Sequence, residues 1–503
     1  MNNYTFKKTF KFKKKKITID INSYFFKNKN NIIFFGNPVY KNLDEINHLN
    51  INKKIKNING YFLVLIISKN NILIYNDILG NFRLYFKHYE NGNLFISNRY
   101  SYFLKKNKIG FINKEEFNFW ESKNYTSGDE TFFNGLKKIP PSTLVTFNSN
   151  GLKLKNIFLN QLKKSNKEHV HSLDFSLKNS LNILKKRNQK IILLFSGGLD
   201  SLLLAQKLIE IKANFECVYF YSKIKTLESE QGLIQSIQSA KFLNLSLKII
   251  QIDKKISKKN FNEILECMLF DFHTSFVQFF GIKQIIKKYG KNIQIISGQS
   301  ADSILCYGPS AVTVSNFLNR LLYLKNNFFT NFFLKTFLQI KYKKKLLLPK
   351  NNFEKLYFFY YGFFYYPFFK KDNLTIDMSI KKKIKKIIIL FKNQSIFTKM
   401  YLKVFGFLQG PDNQILIQSC LKNNFSNIFL PFATKEIIMS TCKKQNKLKA
   451  LFVPKYEVKK LLDKKILKHN LSIKINHIKY KRHKYFIPTI KKLYIKKINE
   501  LKK

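Results

Sequence analysis

Two short polar turns interrupt apolar runs in this sequence, and their residue types suit the holding of an anion. The first, Ser196-Gly197-Gly198-Leu199-Asp200-Ser201, lies between "KIILLF" and the leucine-rich "LLLAQKL". A buried strand running into two glycines and then a helix points several backbone N–H groups at one concave spot, where the helix dipole also favours phosphate. Glycine lets the backbone come close to the oxygens and relaxes the turn. Ser196 and Ser201 add hydroxyl donors, and the Asp200 carboxylate is a hard oxygen ligand of the kind Mg2+ takes. The spacing is neither the Walker pattern, whose lysine is missing here, nor the dinucleotide G-x-G-x-x-G. A helix cap without chemistry is the competing explanation, and the strand, loop and helix context counts against it. The second turn is in "IQIISGQSADSILCYG", residues 293–308, where another apolar run ends in polar residues about a hundred positions later.

Such turns need strands and helices to carry them. From about Ser165 the pattern alternates: "DFSLKNSLNILKKR" is amphipathic at helical spacing, "KIILLF" reads as a buried strand and "SLLLAQKLIEI" as a helix. "FECVYFY", "LKIIQID" and "NIQIISG" are further strands, with helices between them, so an α/β fold with a parallel doubly wound sheet is expected. Residues up to about 155 read instead as strands. "GYFLVLIISKNNILIYNDILGNFRLYFKHYENGNLFISN" holds three apolar runs bounded by Asn and Gly, which predicts an antiparallel meander, and "IPPSTLVTFNSNGLKLKNIF" predicts a proline turn and a hairpin. The polar stretch "NQLKKSNKEHV" marks a boundary, dividing the chain into residues 1–160 and 165–503. Residues 310–503 are mostly helical in pattern and contain no convincing repeat.

The first turn resembles the pyrophosphate-binding loop of the ATP pyrophosphatase superfamily, S-G-G-x-D-S. That resemblance implies that Ser196, Gly197, Gly198, Leu199, Asp200 and Ser201 hold the pyrophosphate of ATP, which is cleaved between its α- and β-phosphates to adenylate an acceptor. The second turn resembles the asparagine synthetase signature S-G-E-G-x-D-E-x-x-x-G-Y, with Ser297, Gly298, Ala301 and Asp302 matching. By that resemblance Ser297 and Gly298 join the pyrophosphate site, and Asp302 is a second Mg2+ ligand facing Asp200, an arrangement that suits neighbouring strand ends of a parallel sheet. "NIFLPFATKEIIMS" is similar to the family's R-x-P-F-L-D segment, with Pro431 and Phe432 kept, and "VPKYEVKKLL" to its K-x-x-L-R helix. Arg482-His483-Lys484-Tyr485-Phe486 approximates R-x-K-x-G-F, which implies Lys484 as the cation over the developing charge of the transition state. "NGYFLVLIISKNNILIYNDILGNFRLYF" and "TFFNGLKKIPPSTLVTF" resemble the G-x-F-A, R-D-x-x-G-x-x-P-L-Y-Y and T-x-F-x-G-I-x-x-L-P-P-G segments of the same family. They imply an N-terminal-nucleophile glutaminase-like α+β domain ahead of the doubly wound synthetase domain with its helical C-terminal part.

Two departures narrow the reading. Glutaminases of this kind use Cys at position 2 as nucleophile, whereas this chain begins Met1-Asn2 and its first cysteine is Cys217. Gln299 stands where the family carries a glutamate that handles the ammonia nucleophile's proton. An amide can hydrogen-bond there but cannot act as a base. Ser303 likewise replaces the last acidic residue. β-Lactam synthetase and lasso-peptide cyclases resemble the same architecture, lack glutaminase activity and use an amine carried by the substrate. The expectation is an ATP- and Mg2+-dependent ligase forming C–N bonds, without a glutaminase of its own. An asparagine synthetase using free ammonia, a pseudoenzyme or scaffold, and a relative acting on nucleic acid are the alternatives. His273, with no carboxylate or metal set beside it, reads as a packed or capping residue, and for Glu228 and Glu230, ahead of the next helix, capping is as good an explanation as function.

Composition bounds the partners. The 503 residues carry a formal charge of +60 with 45 % hydrophobic content. That charge invites a nucleic-acid reading, but the only arginines are Arg83, Arg99, Arg187, Arg320 and Arg482. Groove and phosphate readers favour the arginine fork, and lysine, asparagine, isoleucine and phenylalanine all have AT-rich codons, so genome bias explains the composition. The expected partners are a small-molecule or peptide carboxylate and an amine, with a homodimer left open. The five cysteines are widely spaced, with no C-x-x-C pair, which fits a reducing cytoplasm. The aromatic stretch from Leu356 contains Pro367 and falls short of the roughly 20 apolar residues of a membrane span.

Overall fold

The computed structural model describes, with short interruptions, residues 4–157, 172–222, 227–252, 276–305, 416–443 and 455–473. Among the described residues of 4–157, eleven strands form two sheets. One has the order β1-β2-β8-β7-β9 and the other β11-β10-β6-β5-β4-β3. Their strands are β1 (Tyr4–Phe12), β2 (Lys15–Ser23), β3 (Phe26–Lys29), β4 (Ile32–Val39), β5 (Asn59–Ile67), β6 (Asn71–Asn76), β7 (Tyr85–His88), β8 (Leu94–Ser97), β9 (Leu136–Lys138), β10 (Thr143–Asn148) and β11 (Gly151–Asn156). The hairpin after the proline turn is present as β10 and β11, closed at Asn148 and Gly151.

The meander expected over residues 60–98 is not a single one. β5 and β6 pair antiparallel in one sheet, and the chain then crosses to the other, where β7 and β8 form a hairpin and β8 runs parallel to β2, with Ile17 beside Leu94. The crossing is held by Asp77, which is fully buried. Its Oδ1 accepts the amides of Leu79 (3.1 Å) and Asn81 (2.9 Å), and its Oδ2 that of Phe82 (2.7 Å). Burial pushes the Asp77 carboxyl up to about 6, although these amide bonds pull against it. Sequence alternation reports which residues are apolar, and it does not report which sheet a strand joins.

The two sheets pack face to face through aromatic rings. Phe6 of β1 meets Phe35 of β4 edge-on at 6.0 Å, and Phe82 lies 6.4 Å from both Phe35 and the stacked Tyr61 ring of β5. Both are among the side chains that form one continuous apolar cluster with the elements that follow.

From Ser172 the alternation expected from sequence appears: α1 (Leu173–Lys185), β12 (Lys190–Leu194), α2 (Leu199–Glu210), β13 (Phe215–Ser222), α3 (Leu227–Phe242), β14 (Leu247–Ile252), α4 (Phe276–Tyr289), β15 (Ile293–Ser297) and α5 (Ala301–Leu305). Ser172 caps α1 by accepting the Phe175 amide at 3.2 Å. Further on come β16 (Ile428–Phe429), α6 (Lys435–Lys443), α7 (Tyr456–Leu461) and α8 (Lys464–Ser472). The five later strands form one sheet, ordered β14-β13-β12-β15-β16, and all its pairs are parallel. Helices cover both of its faces. A Cβ on Gly232 of α3 would meet the Tyr219 hydroxyl at 2.6 Å, and one on Gly281 of α4 would meet the Phe220 ring at 2.5 Å. Tyr219 and Phe220 are consecutive on β13 and therefore point to opposite faces.

The antiparallel sheets are joined to the parallel one by polar contacts as well as apolar ones. Arg187, just past α1, donates to Asn37 Oδ1 (2.7 Å) and to the Pro38 carbonyl (2.8 Å). Asn37 Nδ2 donates to the Ile428 carbonyl at 2.7 Å. Asn59 receives the Lys435 amide (2.9 Å) and donates to Glu436 (2.9 Å), which ties β5 to the start of α6. Among the described residues no helix is long and apolar enough to cross a membrane.

Candidate anion site at the centre of the parallel sheet

Strand order decides where the site lies. The chain lays down β12, β13 and β14 outward in one direction and then returns to place β15 on the other side of β12. The connections after β12 and β15 therefore diverge, and a crevice opens beyond their carboxyl ends. Leu194 and Ser297 are register partners at that end, so the two turns singled out in the sequence emerge side by side. Their backbones touch, because a Cβ on Gly298 would lie 3.1 Å from Asp200 Cβ and 3.4 Å from the Ser201 amide nitrogen.

The first turn is built from short-range bonds. Gly197 adopts φ +69°, a region closed to most side chains. Gly198 is the N-cap of α2, with φ −73° and ψ 161°, and being glycine it offers no side chain to occupy the first-turn amides. The Ser201 hydroxyl donates to the Gly198 carbonyl at 2.9 Å and lies 3.4 Å from Ser196 Oγ. Ser196 Oγ in turn accepts the Gly198 amide at 3.3 Å. Leu199 is half-buried and packs onto the core, which anchors the first turn of the helix. In the second turn Ser297 Oγ accepts the Gln299 amide at 3.1 Å. Ser300 has φ +80°, at the position where the resembled signature carries glycine.

One contact was not assigned from sequence. Lys455, the residue before α7, reaches across to Asp200, with Nζ 2.6 Å from Oδ2 and both side chains largely buried. Its backbone is left-handed, φ 55° and ψ 33°, a costly conformation for lysine that its surroundings must hold in place. The sequence did contain "VPKYEVKKLL", but in a chain with 90 Lys and Arg residues a single lysine carries no signal. A second unassigned contact comes from α8, where Asn470 Nδ2 donates to the Gly197 carbonyl at 2.8 Å.

Ser196, Gly197, Gly198, Leu199, Asp200, Ser201, Ser297, Gly298 and Gln299 are thus brought together. Asp302 lies at the second position of α5, directly after the second turn, and its side chain, like that of Ser303, falls outside the described residues. Lys484, Cys306, His273 and the aromatic stretch around Pro367 also lie outside them. Among the described residues no cluster of three or more His, Cys, Asp and Glu side chains is gathered. Among the described residues the two turns combine helix amides, hydroxyls, the Lys455 ammonium and the Asp200 carboxylate, a set that suits a phosphate chain with its counter-cation.

No protein-family model matches the chain. It is 28 % identical over 223 residues to the microcin J25-processing protein McjC of Escherichia coli, covering 43 % of this chain and 40 % of that protein. It is 46 % identical over 99 residues to an uncharacterized protein of Methanocaldococcus jannaschii, covering 18 % of this chain and 37 % of that one. The chain thus spans about two fifths of the length of these relatives. Among solved structures, a glutamine-dependent NAD+ synthetase from Acinetobacter baumannii in complex with ADP aligns over 56 % of this chain and 60 % of that one, at 12 % identity and a TM-score of 0.18.

Proposed function

We propose that this chain is an ATP-dependent, amide-forming ligase of the asparagine synthetase-like kind, which adenylates a substrate carboxylate and passes it to an amine. The observation that carries the reading is the meeting of the two turns at the switch point of the parallel sheet, with the N-terminus of α2 between them and the Lys455 ammonium on Asp200 of its first turn. Similarity to McjC supports it and favours a peptide as the substrate.

In this reading the carboxylate oxygen attacks the α-phosphorus of ATP and pyrophosphate leaves. The amine then attacks the acyl carbon, and AMP leaves. The α2 amides with Ser196 and Ser201 hold the pyrophosphate oxygens, whose charge grows as the bond breaks. Asp200 and Asp302 are the residues that would hold Mg2+. Asp200 fits that role in chemistry, since its carboxylate already sits against a cation. When bound, the ion neutralises phosphate charge. Lys484 is the proposed cation at the reacting centre, and Gln299 orients the amine by hydrogen bonding.

The chain's own glutamine hydrolysis is not part of this proposal. Cys217 is the first cysteine in the sequence, and it is buried on β13, where desolvation and the neighbouring Glu216 push its thiol up to about 12. The space between the N-terminal sheets is filled by the Phe6, Phe35, Tyr61 and Phe82 rings.

The test is carboxylate-dependent release of pyrophosphate from ATP, assayed with candidate peptides and with aspartate plus ammonium. Peptide-dependent release that disappears in Asp200→Ala is the expected result. Full activity in that variant overturns the proposal, and asparagine formation from aspartate and ammonium would reassign the acceptor.

A further inference from the structure

The peptide unit between Gly197 and Gly198 is the weak point of the anion site. Its orientation is set by ψ of one glycine and φ of the next, and neither residue has a Cβ to resist rotation. In a planar trans peptide the C=O and N–H point in opposite directions. With the Gly197 carbonyl held on one side, the Gly198 N–H points to the other, where it donates to Ser196 Oγ at 3.3 Å. A flip would reverse this and present a carbonyl oxygen to the anion.

Two side chains from outside the loop hold that carbonyl. Asn470 Nδ2 of α8 donates to it at 2.8 Å, and Ser239 Oγ of α3 at 3.4 Å. Asn470 and Ser239 are both buried. α8 is itself pinned to α2: Gln206 donates to the Leu461 carbonyl at 3.2 Å and accepts the Asp463 amide at 2.9 Å, at the junction of α7 and α8. Lys455 grips Asp200 at the other end of the same helical pair. The α7–α8 pair therefore lies along α2 and reaches the loop with a neutral donor.

We propose that Asn470 is a positioning residue for the pyrophosphate loop, locking the Gly197–Gly198 peptide with its carbonyl away from the anion and its N–H on the side of Ser196 Oγ. This rests on the proposed role of the loop in binding ATP. Removing the donor lowers the fraction of molecules in the binding-competent orientation, so the apparent dissociation constant rises by the inverse of that fraction. Saturating ligand restores the orientation, and the turnover rate is spared.

The experiment measures binding of inorganic pyrophosphate and of ATP, each with Mg2+, by calorimetry on the full chain, together with KM and kcat for ATP and the melting temperature. Asn470→Ala is expected to weaken both ligands about tenfold, the worth of one buried hydrogen bond, with kcat within about twofold of wild type. Asn470→Asp, which places an acceptor against the carbonyl, is expected to weaken them further. Ser239→Ala removes the longer bond from a different helix and is expected to act in the same direction by a few-fold, which keeps the test decisive should the Asn470 variants fail to fold. Wild type that binds neither ligand overturns the functional reading and this inference with it. Wild type that binds, with Asn470→Ala and Ser239→Ala binding equally well, overturns this inference alone. A fall in kcat with KM unchanged also overturns it.

Discussion

Gly197→Ala separates the two reasons for a glycine in the turn after β12. The first reason is conformational: at φ +69° an alanine costs about 1–2 kcal/mol. The second is contact. A Cβ at Gly197 would lie 2.6 Å from the Gln235 carbonyl oxygen, 2.9 Å from its carbon and 3.0 Å from Ser239 Oγ. To restore ordinary contact at 3.4 Å the α3 backbone must retreat by about 0.8 Å, and overpacking of this kind costs about 1–3 kcal/mol. Alanine also stiffens the unfolded chain, which returns about 0.4–1 kcal/mol. The net loss is about 2–4 kcal/mol from these three contributions. Gly290 is the internal control, because it has φ +74° with nothing within 4 Å of the added Cβ. Gly290→Ala therefore carries the conformational cost alone, about 1 kcal/mol. Urea denaturation of the two variants, followed by far-ultraviolet circular dichroism, should separate them by about 1–3 kcal/mol. Because a displacement near 1 Å costs about a hundredfold in a site of fixed geometry, ATP-dependent pyrophosphate release should fall on that scale in Gly197→Ala and stay unchanged in Gly290→Ala. Equal destabilisation of the two variants, with release unaffected in both, would refute the contact argument.

Two further outcomes follow from groups that organise the N-terminal sheets. Asp77 has its carboxyl raised from 3.8 to about 6 by burial, so between those values the folded chain keeps a proton that the unfolded chain has released. Its contribution to stability is greatest below 3.8 and is lost as pH rises through 6, by roughly 3 kcal/mol. Denaturation midpoints at pH 4, 5, 6 and 7 should show that decline in wild type relative to Asp77→Asn, and parallel pH profiles would contradict it. Arg187→Met removes two short charge-assisted bonds, to Asn37 and Pro38. After the guanidinium's own desolvation is offset, about 2–4 kcal/mol should be lost. Arg187→Lys, which lacks the two-armed geometry, should recover only part of it, and an unchanged urea midpoint in Arg187→Met would show that the contact contributes nothing to joining the sheets.

Much of the site was legible because its information is local. An apolar run such as Ile191 to Phe195, followed by two glycines and an amphipathic run, specifies strand, turn and helix without reference to the rest of the chain. Ser196 to Ser201 and Ser297 to Gly298 were accordingly recognisable as polar turns at strand ends, which the structure brings side by side. The alternation after Ser172 likewise implied a parallel sheet, since each short strand is followed by a helix long enough to carry the crossover.

What sequence could not decide is which distant pieces meet. The apolar runs of residues 60–98 announced strands, yet whether β7 and β8 continue one sheet or open another depends on a turn folded around a buried Asp77. Lys455 and Asn470 lie more than 250 positions from the residues they touch, and no periodicity marks either among so many lysines and asparagines. Local pattern determined the strands, the glycine turns and the donors they carry, because propensity and backbone sterics act over a few residues. Only the tertiary structure placed an ammonium on Asp200 and an amide on the Gly197 carbonyl, because those contacts exist only once α7 and α8 have been folded back along α2.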